Sequence, residues 1–150
     1  CSVGGNRNSI GIESCVNEGS NLWYTWQITA QLVAHLMQDN NLDINRVVGH
    51  HFYTAKDCPQ PMLENDMEIW YEFRDLVEAE YEKLTEFEDY KFELSTNSST
   101  HLSSNGYAKY NRKKEITNVC VDYTVTVTNP DGTTEEITLY SMVPLVNLVK

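Results

Sequence analysis

Hydrophobic and polar positions divide the chain into a helical first part and an alternating last part. Residues 4–8 read as a turn. In Ser9–Val16, Ile10, Ile12 and Ser14 share one face and Gly11, Glu13 and Cys15 the other, the period of a short strand. A polar loop, Asn17–Asn21, follows. Ile28, Leu32, Val33 and Leu36 then recur at helical spacing and predict a helix from about Thr25 to Asn40, capped by Thr25 or Asn21 and ended by Asn40–Asn41. Arg46–Gly49 reads as a short apolar strand that runs straight into His50. Leu63, Met67, Trp70, Val77, Tyr81 and Leu84 make the stripe of a second amphipathic helix. The pattern changes after about Glu88. Tyr90, Phe92 and Leu94 alternate with Lys91 and Glu93, which starts a strand, and a polar loop runs from Ser95 to Gly106. Val119, Val121, Tyr123, Val125 and Val127 alternate with polar neighbours in a two-faced strand. Asn129–Gly132 turns it, and Thr133–Tyr140 returns as its hairpin partner.

Composition narrows the function classes. The 150 residues carry a formal net charge of -11, which disfavours a nucleic-acid backbone or an anionic membrane surface as partner. Much of that charge sits between Glu64 and Glu93, where twelve carboxylates face three bases. Such a run is ordinarily a solvated helix face, and Glu64, Glu68 and Glu72 repel one another at i, i+4. No apolar run reaches the length of a membrane span, and no signal peptide is visible. Cys1, Cys15, Cys58 and Cys120 are too widely spaced for a dense disulfide framework. The chain opens at Cys1 without an initiator methionine, which points to a fragment.

The stretch Gly49–Pro59 holds the candidate chemistry. His50 and Cys58 are donors of the kind zinc takes, and Lys56 places a cation two residues before the cysteine. The plainer reading is a buried cysteine and a surface histidine pair at a strand end, since two ligands alone do not make a site. Glu13 is a carboxylate in mid-strand, where the solvent face is the ordinary place. Facing a cleft, it would be a usable base.

Taken in order, Asn8-Ser9-Ile10-Gly11-Ile12-Glu13, the helix after it, and Val48-Gly49-His50-His51 followed by Lys56-Asp57-Cys58-Pro59 carry a family resemblance. Residues 6–84 resemble the C-terminal part of the zinc-dependent N-acetylmuramoyl-L-alanine amidases of the amidase-2 type, relatives of the peptidoglycan recognition proteins. The resemblance implies an α/β fold, a mixed central sheet flanked by helices over residues 1–88, with a small β-rich unit over 89–150. It implies a zinc cofactor in a groove for the peptidoglycan stem, and cleavage of the amide between the muramic acid lactyl group and L-alanine. His50 matches the second metal histidine and Cys58 the third ligand. Lys56 matches the lysine that meets the oxyanion. Glu13 matches a strand glutamate used as general acid/base, which would put its strand beside that of His50 and both residues on one groove. His51 matches no ligand and, on an extended segment, would point away from His50.

The first zinc histidine of that family lies upstream of anything here, and neither His35 nor His101 stands in its place. A truncated, zinc-dependent hydrolase of secreted, cell-wall or phage-lysis type is therefore expected, inactive by itself. The competing readings are a binding module that keeps the groove without chemistry, and a wall-anchoring role for the β-rich tail.

Overall fold

The computed structural model describes residues 7–17, 20–106 and 119–143. Cys1, part of the turn at residues 4–8, and Glu18 and Gly19 of the first loop lie outside the described residues. The chain divides into two compact units, one built from Trp26–Glu86 with the segment up to Cys15, the other from Phe87 onward with Val16–Thr25. The main elements are α1 (Leu22–Asn40), two short 3-10 turns (Ile44–Arg46 and His50–Phe52), α2 (Gln60–Thr85), β1 (Lys91–Ser95), β2 (Val119–Thr128) and β3 (Thr134–Val143).

Local chemistry sets both ends of α1. Asn21 Oδ1 accepts the Tyr24 N–H at 3.1 Å, so Asn21 is the cap and the helix begins three residues before Thr25. At the other end Asn41 adopts a left-handed conformation, φ 51°. Its N–H donates to Gln38 O at 3.3 Å and the Leu42 N–H donates to Met37 O at 2.9 Å. This pair of bonds is a Schellman motif, with Leu42 brought back toward Met37.

The buried face of α1 differs from the expected one. Ile28 and Leu32 are exposed at 43% and 49%, whereas Trp26, Ala30, Val33, Ala34 and Met37 are buried. The helix is apolar around much of its circumference, so spacing alone does not select a face. On α2 the buried residues are Met62, Trp70, Phe73 and Val77. Two hydrogen bonds tie the helices together: Gln31 Nε2 donates to Glu80 Oε1 at 3.1 Å and Gln38 Nε2 donates to Leu84 O at 3.3 Å. Arg74 reaches Ile44 O at 3.3 Å and fixes the first 3-10 turn to α2. The acidic side of α2 is solvated at Glu64, Glu68 and Glu72, as expected.

The mixed central sheet is the main correction. Neither Ser9–Val16 nor Arg46–Gly49 forms a strand, and no sheet occurs in this unit among the described residues. A strand needs a neighbouring strand to form a ladder, and among the described residues none pairs with either segment. The sheet lies instead in the other unit. It is antiparallel, in the order β1-β2-β3. Phe92 pairs with Val127, Leu94 with Val125, and Val125 with Ile137, so the alternation of each strand meets its partner's in register. Leu102, Val121 and Val143 form its buried cluster, with Leu94, Val119 and Tyr123 packed around them.

The β2–β3 turn has the sequence it needs. The Gly132 N–H donates to Asn129 O at 2.9 Å, and Gly132 takes φ 85°. Asp131 Oδ1 accepts the Thr133 hydroxyl at 2.6 Å and the Thr133 N–H at 2.9 Å. These bonds, the hydroxyl first, hold the Asp131 carboxyl below the usual aspartate value. The charged form therefore favours the hairpin above about pH 4, and that contribution is lost as pH falls through the lower folded value. An NMR titration of the Asp131 carboxyl carbon is expected to show a midpoint below that of a free aspartate, and Thr133→Val should raise it. An unchanged midpoint in the variant would remove the hydroxyl as the cause.

Candidate active site

The candidate residues lie where the chain passes from α1 to α2. Val47 (φ -87°, ψ 104°) and Gly49 (φ -74°, ψ 159°) are extended, so the segment approaches as a strand would but without a ladder. His50 then opens a 3-10 turn: the Phe52 N–H donates to Gly49 O and the Tyr53 N–H to His50 O, both at 3.0 Å. Successive residues of such a turn sit about 120° apart. His50 and His51 therefore do not take the opposite directions of an extended pair.

The chain next folds back on itself. The Thr54 hydroxyl donates to His50 O at 3.4 Å and accepts the Lys56 N–H at 3.3 Å. The Cys58 N–H donates to Lys56 O at 2.9 Å. The loop is closed by the His51 N–H, which donates to Cys58 O at 2.9 Å. Cys58–Pro59 is a cis peptide, and α2 begins at the next residue. His50 and Cys58 are half-buried, whereas Lys56 is exposed. Among the described residues no carboxylate pairs with the Lys56 ammonium.

His50, Lys56 and Cys58 thus lie within or immediately beside one loop closed through its backbone. Glu13 lies outside this loop. Glu13 is exposed, on a segment without regular structure, and the expected pairing of its strand with that of His50 does not occur among the described residues. His35 lies exposed on α1, and His101 is half-buried in the other unit.

His51, which matches no ligand in the family resemblance, makes contacts in the loop and with α2. Its ring Nδ1 lies 3.3 Å from Cys58 O, and its edge meets the Trp70 ring with centroids 5.9 Å apart at 90°. Gly49 is buried beneath it, and a Cβ there would lie 2.5 Å from His51 Nδ1 and 3.0 Å from Pro59 Cδ. A glycine two residues before a histidine is too common a pattern to have signalled this.

The segment that contains this loop is similar to known proteins. The Amidase_2 family, described as N-acetylmuramoyl-L-alanine amidase, matches residues 2–61. Over that segment the chain is similar to the Amidase_2 family. The match ends just inside α2, short of the extent to residue 84 that the sequence pattern implied. Three relatives from Bacillus subtilis (strain 168) are each named N-acetylmuramoyl-L-alanine amidase. CwlH is 39% identical over 61 residues, which are 41% of this chain and 24% of CwlH. CwlA is 32% identical over 82 residues, 53% of this chain and 29% of CwlA. XlyA is 35% identical over 60 residues, 40% of this chain and 20% of XlyA. The chain thus spans less than a third of the length of each. No solved structure matches the chain.

Imidazole and thiolate are donors that zinc takes, and the Amidase_2 segment presents one of each in a single closed loop. A catalytic zinc takes three protein ligands, and among the described residues no group of three or more His, Cys, Asp and Glu side chains is placed to hold a metal ion. The pair fits zinc in kind and leaves the set one ligand short.

Gly49 offers a direct check on the loop. Gly49→Ala would force the His51 ring or Pro59 to move, and such overpacking costs about 1–3 kcal/mol. Thermal unfolding should show a lower midpoint, and hydrogen exchange at the His51 amide should speed up. An alanine variant with unchanged stability and exchange would mean that the ring does not rest on Gly49.

Proposed function

We infer that this chain is part of a zinc-dependent peptidoglycan hydrolase that cleaves the amide between the N-acetylmuramic acid lactyl group and the L-alanine of the stem peptide. The observation that carries this reading is the single closed loop holding His50, Lys56 and Cys58 inside the Amidase_2 match. In this reading His50 and Cys58 are two of the zinc ligands. Bound zinc would polarise the scissile carbonyl and lower the pKa of the attacking water. Lys56, exposed and without a carboxylate partner among the described residues, would meet the negative charge that develops on the carbonyl oxygen. Glu13 would take a proton from the water and deliver it to the leaving nitrogen. The substrate places the reaction at the cell wall, reached by secretion or during phage lysis. No helix among the described residues is long and apolar enough to cross a membrane.

The two-donor set favours a second reading, a module that binds the stem peptide without hydrolysing it. One experiment separates the two. Purified cell walls are incubated with the zinc-loaded protein, both as this chain and in a form extended upstream, and new amino termini are identified. Hydrolysis should expose L-alanine. Lys56→Ala should then lower kcat by about 10²–10³ with zinc content unchanged, the scale of losing one oxyanion partner. Glu13→Gln should likewise lose turnover and keep zinc, whereas Cys58→Ser should lose both. Retention on walls with no new L-alanine termini from either form would support the binding module, and new reducing sugar ends would overturn the amidase reading.

A further inference from the structure

We propose that His51 is a positioning residue that holds Cys58 in place for the site. The inference rests on the reading of Cys58 as a metal ligand. A ligand on a loop must be held at a fixed distance from its partners, and a network around the ligand ordinarily does this. Here the network converges on the backbone of Cys58. Its carbonyl oxygen accepts the His51 N–H at 2.9 Å and lies 3.3 Å from His51 Nδ1. A carbonyl oxygen only accepts, so the second bond requires the hydrogen on Nδ1. Both lone pairs of the carbonyl are then engaged by one residue, and that residue is the chain neighbour of His50. The spacing between the two donors is thereby set by a clamp beside them.

The same ring also anchors the loop to the core. It meets Trp70 in a T-shaped contact, and Trp70 is 7% exposed and packs in turn on Phe73 with ring centroids 5.7 Å apart. Edge-to-face contact is the favoured arrangement for such rings. Gly49 leaves the space that the ring occupies, since any side chain there would meet it. A phenylalanine at position 51 could keep the contact with Trp70 but could not donate to Cys58. An asparagine could donate from its amide nitrogen, which overlays Nδ1, but could not reach Trp70. The two roles are therefore separable by substitution.

The test uses the whole chain and measures iodoacetamide modification of each cysteine by mass spectrometry, without metal. Cys15 and Cys120 are exposed and serve as internal standards. His51→Phe and His51→Ala are expected to speed modification of half-buried Cys58 by about tenfold relative to those standards, the factor expected for one lost hydrogen bond of ordinary strength. His51→Asn should restore a rate close to that of the unaltered protein. A wild-type rate in His51→Phe, or a loss in His51→Asn as large as in His51→Ala, would overturn the clamp and leave only ring packing. In parallel, Co²⁺ is added and the thiolate-to-cobalt absorption band recorded. The band is expected in the unaltered protein, weakened in His51→Phe and recovered in His51→Asn. Absence of the band from the unaltered protein would remove the metal reading by itself, and the modification rates would still decide whether His51 holds Cys58.

Discussion

The hydrogen bond from the His51 N–H to the Cys58 carbonyl is the constraint on which the candidate site depends. It joins the two ends of a short loop, and every candidate residue except Glu13 lies within or immediately beside that loop. What surrounds the bond exists to permit it. Gly49 has no side chain where the His51 ring must lie, and Trp70 meets that ring in a T-shaped contact. Without that bond, the loop is held by the turn bonds along it, including those of Thr54 to His50 and Lys56 and of Cys58 to Lys56.

The helices supply the platform. α1 and α2 each bury a small set of apolar side chains, and side-chain bonds from Gln31 and Gln38 hold one helix to the other. Arg74 extends this frame to the chain just before the loop. The site is thus presented by two helices and the segment between them, in a unit where the described residues contain no strand.

What could be read from the sequence was what local chemistry decides. The asparagines at both ends of α1, the alternation of β2 and its Asn-Pro-Asp-Gly turn act within a few residues, and each was legible. The Lys-x-Cys-Pro run after His50 lies inside the Amidase_2 match. Ser9–Val16 misled because alternation states only what a strand would look like; whether one forms depends on a partner that the pattern does not contain. The buried face of α1 was misread for a related reason, since Ile28 and Leu32 are as apolar as the residues chosen for the core. His51 was invisible as a clamp because its meaning comes from Trp70, in the next helix.

The closing bond spans only seven residues. Bringing together points so near along a chain costs little conformational entropy, and each doubling of the span would add only about 0.6 kcal/mol. Assembly of the two donors is therefore a local event. A ligand contributed from elsewhere in the protein would arrive at a pair already set, and long-range folding would govern its arrival alone. Natural variation in distant segments could then alter or remove the third ligand without disturbing the other two, so that catalytic and purely binding descendants of one fold could share the same loop.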